Sequence, residues 1–191
     1  MRTMITGGVR SGKSAYGQRM AAARGTPVVY LATAQALDAE FERRIARHQQ
    51  DRPSTWQTLE EPLQLADAVH RAWQAAPTVL IDDLTLWVSN VLLRDAPDPD
   101  ASEWLAQVEA LEGWLTEQIE RVSDSVPSNG ALIVVTQEVG LGVVPPYALG
   151  RAYRDLLGRV NQHLARRADQ VYLMVAGLAV DVRRLAAAQG D

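Results

Sequence analysis

The sequence predicts an α/β fold, a mainly parallel central sheet flanked by helices, in one domain spanning residues 1–191. Three observations carry this. Short apolar runs alternate with longer amphipathic stretches. The short runs are continuously apolar, as in strands covered on both faces. A glycine-rich loop, Gly7-Gly8-Val9-Arg10-Ser11-Gly12-Lys13-Ser14, lies between the first strand and the first helix. It reads G-x-x-x-x-G-K-S, the phosphate-binding P-loop pattern.

The strands are expected at Thr3–Thr6, Val28–Ala32, Val79–Asp82, Ala131–Thr136 and Gln170–Val175, each bounded by polar, Gly or Pro residues. The first helix should run from Lys13 to Arg24 and stop at Gly25, with Pro27 beyond. A second should begin near Asp38, a good N-cap. Its early Glu40 and Glu42 and late Arg43, Arg44 and Arg47 complement the helix dipole, and Pro53 lies past its end. Leu63 to Trp73 follows Pro62 as a third helix, and Leu84 to Leu93 is a fourth. Arg94 to Ser102 contains Ala96-Pro97-Asp98-Pro99-Asp100 and reads as a loop. Glu103 to Val122 is a long amphipathic helix. Its stripe of Trp104, Leu105, Val108, Leu111, Leu115, Ile119 and Val122 suits core packing or a subunit interface. Ser123 to Gly130 is a turn-rich connector, Arg151 to Arg167 another helix, and Ala179–Val182 a short final strand.

Bulk composition narrows the function classes. The chain has 191 residues, 47% hydrophobic content and a formal net charge of −4. That balance offers no global electrostatic grip on nucleic acid or an anionic membrane. Cysteine is absent, which excludes disulfides and thiolate metal sites. The amino terminus runs directly into the first strand and no apolar run reaches membrane-spanning length, so a cytoplasmic location is expected.

Chemistry is concentrated in four places. In the P-loop, glycines let backbone N–H groups converge on phosphate oxygens, and the following helix adds its positive end. Lys13 can reach the outer phosphates and the Ser14 hydroxyl can ligate Mg²⁺. Val79-Leu80-Ile81-Asp82-Asp83 is an apolar strand ending in acids, the Walker B arrangement. Asp82 suits the metal, while Asp83 suits capping of the next helix. Gln137-Glu138-Val139-Gly140-Leu141-Gly142 follows a buried strand, where parallel sheets place ligands, and Glu138 would face the site. His48 shares one helix face with Phe41 and Ile45 at seven- and three-residue spacing. It suits either a satisfied core histidine or a nucleophile attacking phosphorus, with Arg44, Arg47 and Arg52 able to neutralise phosphate charge.

The chain closely resembles the bifunctional adenosylcobinamide kinase/adenosylcobinamide-phosphate guanylyltransferase family of cobalamin biosynthesis. The resemblance runs nearly end to end. It rests on the P-loop, Tyr30-Leu31-Ala32-Thr33-Ala34-Gln35, Arg44-Ile45-Ala46-Arg47-His48, Arg52-Pro53 and Trp56. It continues through Val135-Thr136-Gln137-Glu138-Val139-Gly140-Leu141-Gly142-Val143-Val144-Pro145 and Tyr153-Arg154-Asp155-Leu156-Leu157-Gly158-Arg159-Val160-Asn161-Gln162. The R-I-x-x-H…R-P-x-x-W and E-V-G-x-G-x-V-P runs together are highly specific.

The resemblance implies a RecA-like P-loop NTPase fold and a homotrimer. It implies phosphorylation of adenosylcobinamide by ATP or GTP, then transfer of GMP from GTP to adenosylcobinamide phosphate through a GMP–histidine intermediate. His48 occupies the matching position. The implied nucleotide contacts are Gly7, Gly8, Val9, Arg10, Ser11, Gly12, Lys13, Ser14, Thr33, Ala34, Gln35, Gln49, Gln50, Asp51, Arg52, Glu60 and Asp82. Read from the residues themselves, Ser14 and Asp82 would hold Mg²⁺ or another divalent cation, and a carboxylate such as Asp83 or Glu138 would assist the attacking hydroxyl. Members of the family often carry Glu at the place of Asp82, and some carry Asn where Gln137 stands. Both departures keep the reactive groups.

Overall fold

The computed structural model describes residues 1–35, 53–95 and 98–187. The helix expected near Asp38, with His48, and the Ala96-Pro97 part of the expected loop lie outside the described residues. The chain order is β1 (Arg2–Gly7), α1 (Lys13–Ala23), β2 (Val28–Ala32), β3 (Gln57–Glu60), α2 (Leu65–Ala75), β4 (Thr78–Asp82) and α3 (Leu84–Asp95). Then come α4 (Trp104–Asp124), β5 (Ala131–Val135), a 3₁₀ turn (Val139–Leu141), α5 (Ala148–Arg167), β6 (Gln170–Val175), β7 (Leu178–Asp181) and α6 (Val182–Ala187).

The seven strands form one sheet in the order β3-β2-β4-β5-β1-β6-β7. Every pairing is parallel except the β6–β7 hairpin. The P-loop strand β1 is therefore central, with β5 between it and the acid-tipped β4. The six parallel strands, β3, β2, β4, β5, β1 and β6, deliver their carboxyl ends to one edge, where ligands of open α/β sheets bind.

Successive strand residues alternate between two cores, as the period of two requires. Val29, Leu31, Val79, Ile81, Leu132 and Val134 pack with α2, α3, α4 and α5. Val28, Tyr30, Leu80, Ile133 and Val135 face the other way, toward Ala21 of α1, Met20 and Trp56. Both faces are covered, which is why these strands read as unbroken apolar runs.

Helix α1 approaches the sheet closely because of Gly17. A Cβ there would lie 3.2 Å from Leu80 Cδ1 and from Val135 Cγ2. In α4 the predicted stripe is core at its C-terminal end, with Leu111, Leu115, Ile119 and Val122 buried. Leu105 near its start is exposed, so the stripe loses the core there.

The structure departs from the sequence reading in several places: α3 continues to Asp95, into the expected loop, and α6 (Val182–Ala187) follows β7 where no helix was expected. Strand β3 has only Leu59 as an apolar residue; it exists because β2 offers it an open edge, in the register Ala32↔Glu60. Helix α2 begins at Leu65 rather than Leu63, because the Glu61 carboxylate accepts the N–H groups of Leu63 and Gln64 (3.1 and 3.0 Å) ahead of it. Helix α5 begins at Ala148, with Arg151 inside it donating back to the carbonyls of Pro145 and Pro146. Among the described residues no helix is long and apolar enough to cross a membrane.

Gly17→Val puts two methyl groups into the α1–sheet contact and should cost about 1–3 kcal/mol by overpacking. Urea unfolding should show a lower midpoint at unchanged slope. A variant as stable as the parent would mean that α1 can shift away from Leu80 and Val135 freely.

Candidate active site

The site is assembled from loops at the carboxyl ends of β1, β2, β4 and β5. The P-loop leaves β1 at Gly7 (φ 143°), passes Arg10 in the left-handed region (φ 56°) and enters α1 at Gly12 (φ 92°). Gly7 is required by close approach as well as by φ, since a Cβ there would lie 2.4 Å from the Met174 carbonyl oxygen on β6. The loop is braced from below: the Gly177 N–H donates to the Ser11 carbonyl at 3.0 Å. The Ser11 hydroxyl is buried and has no hydrogen-bond partner among the described residues.

Lys13 is buried, and its ammonium donates to the Gly8 carbonyl at 2.6 Å, folding back over the loop. Burial lowers its pKa, opposed by the charges of Asp83 and Asp82. Phosphate oxygens in the loop would add negative charge beside the ammonium and favour its charged form. The next residue, Ser14, donates its hydroxyl to Asp82 Oδ1 at 3.0 Å, and Tyr30 donates to Asp82 Oδ2 at 2.7 Å. Ser14 and Asp82 thus meet although they are far apart in sequence. Two adjacent hard oxygens beside a phosphate cradle fit a divalent cation whose other ligands are phosphate and water. Among the described residues no group of three or more His, Asp or Glu side chains could hold a metal without such help.

Asp83 caps α3, its Oδ1 accepting the Leu86 N–H at 2.9 Å, while Gln137 Nε2 lies 3.4 Å from Oδ2. Burial first, and then the Asp82 charge, raise its pKa to about 6. Asp83 thus caps the helix as expected, while Asp82 meets Ser14 and Tyr30. Thr33, at the end of β2, is fully buried. Its hydroxyl donates to the Asp83 carbonyl (2.7 Å) and accepts the Asp83 N–H (3.2 Å), and its own carbonyl accepts from Asn90 (2.7 Å). Thr33 thus stands beside Asp83, and Ala34 and Gln35 follow it in the chain.

The expected residues fall into three groups. Gly7 to Ser14, Thr33 and Asp82 converge. Glu60 is exposed at the tip of edge strand β3, in register with Ala32 and separated from β5 by β2 and β4. His48, Gln49, Gln50, Asp51 and Arg52 lie outside the described residues. Residue-by-residue reading gave no role to Tyr30, Thr6 or Asn161. Each is an ordinary polar residue in an apolar or amphipathic run, and only its partner reveals its use.

A P-loop with its lysine folded over the cradle, opposite an acid-tipped strand, defines a nucleoside-triphosphate-binding enzyme of the RecA-like P-loop class. Two solved ATPases of type III secretion systems share the fold. One is the EscN protein of enteropathogenic E. coli (TM-score 0.56, 13% identity, 94% of this chain and 47% of that one). The other comes from pathogenic bacteria (TM-score 0.52, 13% identity, 98% of this chain and 53% of that one). The chain belongs to the family described as cobinamide kinase / cobinamide phosphate guanyltransferase, which it matches over residues 3–182. It is 43% identical to the bifunctional adenosylcobalamin biosynthesis protein CobP of Pseudomonas aeruginosa, over 96% of this chain and 98% of that one. The corresponding CobU proteins of Escherichia coli K12 and Salmonella typhimurium are 37% and 35% identical, over 96% of this chain and all of theirs.

The raised pKa of Asp83 carries a stability signature. Between about pH 4 and pH 6 the folded protein binds a proton at Asp83 that the unfolded chain has released, so this residue's contribution falls as pH rises through that window. Asp83→Asn keeps an oxygen for the Leu86 N–H. In EDTA at pH 7.5 it should be more stable than the parent by roughly 1–3 kcal/mol, the gap closing toward pH 4. Urea titrations across that range test this; a gap that widens on acidification would contradict it.

Proposed function

We propose that the chain is a single catalytic domain that carries out two successive reactions at phosphorus. In the first, the γ-phosphoryl group of ATP or GTP passes to the free hydroxyl on the aminopropanol arm of adenosylcobinamide. In the second, GMP passes from GTP to the resulting phosphate, giving adenosylcobinamide-GDP and pyrophosphate. The observation that carries the reading is the convergence of Lys13, Ser14 and Asp82 over the P-loop, in a chain that belongs to a kinase/guanyltransferase family.

In the kinase step the P-loop amides and Lys13 stabilise the charge on the transferring phosphoryl oxygens. Ser14 and Asp82 would hold a divalent cation such as Mg²⁺, which when bound screens the charge between the phosphates. Thr33 to Gln35, Gln49 to Arg52 and Glu60 complete the nucleotide contacts. In the second step the His48 imidazole attacks the α-phosphorus of GTP, the bond to the bridging oxygen breaks and pyrophosphate leaves. The phosphate of the corrinoid then attacks the His48 phosphoramidate and releases the imidazole. The attack needs a neutral imidazole, so guanylylation weakens at acid pH. We further propose a cytoplasmic homotrimer. The apolar side chains left open on this protomer, such as Leu105 on α4, suit burial in such an assembly.

Incubation with GTP labelled at the α-phosphate tests the histidine. The parent should acquire acid-labile label, and His48→Ala should acquire none while still phosphorylating adenosylcobinamide with ATP. Acid-labile label persisting in the variant would remove His48 from this role. Lys13→Ala should reduce kinase turnover by at least about 100-fold, because it removes a charge aimed at the transferring group.

A further inference from the structure

Three carboxylates stand at the carboxyl ends of β4 and β5, and their oxygens are unequally used. Both oxygens of Asp82 accept hydrogen bonds, from Ser14 and Tyr30. Asp83 spends one oxygen on the start of α3 and turns the other to Gln137. Glu138 takes both of its bonds on one oxygen: Oε1 accepts from the Thr6 hydroxyl at 2.9 Å and from Asn161 Nδ2 at 3.3 Å. Oε2 has no hydrogen-bond partner among the described residues.

Glu138 is held firmly beside the phosphate cradle. Its N–H donates to the carbonyl of Gly7, the first P-loop residue, at 3.4 Å, and Thr136 N–H donates to Ile5 at 2.9 Å. Thr6 precedes Gly7 directly, so the anchor of the carboxylate and the root of the P-loop are one piece of chain. Asn161, buried on α5, fixes the other side. The Gln137 carbonyl can only accept, so the amide nitrogen of Asn161 must face it, at 2.9 Å. That sets Asn161 Oδ1 toward the Thr136 hydroxyl at 2.7 Å and leaves the second amide hydrogen for Glu138. Thr136 is fully buried and Asn161 nearly so, which gives the amide no water to turn toward.

We propose that Glu138 is the general base of the kinase step, with Thr6 and Asn161 as positioning residues that hold one oxygen and leave the other for substrate. The corrinoid hydroxyl oxygen forms a bond to the γ-phosphorus. The bond from that phosphorus to the β,γ-bridging oxygen breaks, and the nucleoside diphosphate leaves with the electron pair. The hydroxyl proton passes to Glu138 Oε2. A base anchored through one oxygen needs no reorientation when the hydroxyl arrives, which is where such a group gains its rate. The proposal rests on the reading that the nucleotide phosphates occupy the P-loop.

Glu138→Gln tests it, because the glutamine carbonyl can still accept from Thr6 and Asn161 while the basic oxygen is gone. Kinase kcat should fall by about 100-fold or more at a nearly unchanged KM for ATP. GMP transfer to supplied adenosylcobinamide phosphate, which needs no such base, should fall by less than about threefold. Thr6→Val should lower kinase kcat by about tenfold, again sparing GMP transfer. Glu138→Gln retaining kinase kcat within about fivefold of the parent would overturn the assignment. So would an equal loss of both reactions with a raised KM, which marks a purely structural role. Lys13→Ala separates the premises. If it abolishes kinase activity while Glu138→Gln does not, only the base assignment fails; if it leaves kinase activity intact, the cradle reading itself fails.

Discussion

The P-loop can leave the sheet where it does because Gly7 has no side chain. It faces Met174 on β6 in register, and a Cβ would lie 2.4 Å from that residue's carbonyl oxygen. Any larger residue would have to push β6 from β1 or turn the loop elsewhere. With glycine there, the strand pair closes tightly and the loop swings out over the β6–β7 turn, whose Gly177 N–H holds the Ser11 carbonyl. The direction of α1, the reach of Lys13 and the position of Ser14 all follow from that exit.

The position of β5 does as much for the chemistry. It separates the P-loop strand from the acid-tipped β4. That spacing lets a serine at the start of α1 reach Asp82 with a single hydrogen bond and leaves room at the tip of β5 for Gln137 and Glu138. These two face opposite ways along the edge, Gln137 toward Asp83 and Glu138 toward Thr6. The strand tip is therefore the joint between the two halves of the site. Helix α5 locks it through Asn161.

Burial sets the electrostatics of this edge. Lys13 is pushed toward its neutral form by loss of water and drawn back by Asp82 and Asp83, while Asp83 is pushed toward its protonated form. The protein thus holds an unfavourable charge arrangement at this edge, at some expense of stability.

Much of this was legible in the chain because its causes are local. The P-loop needs its glycines, lysine and serine at fixed spacing, so its eight residues announce themselves. The acids after Val79-Leu80-Ile81 are legible for the same reason, and covered parallel strands must be continuously apolar. Membership of the family was readable from the E-V-G-x-G-x-V-P and R-I-x-x-H runs. Other features depend on partners distant in sequence. Edge strand β3 is polar and becomes a strand only by pairing with β2. Gly17 looks like a weak helix residue until Leu80 and Val135 are seen against it. The sequence by itself determined the fold class, the phosphate cradle and the acids available to it. Only the tertiary structure decided which carboxylate oxygens are occupied and which one is left without a partner among the described residues, because hydrogen bonds from Thr6 and Asn161 depend on where β1 and α5 lie, and no spacing along the chain encodes that.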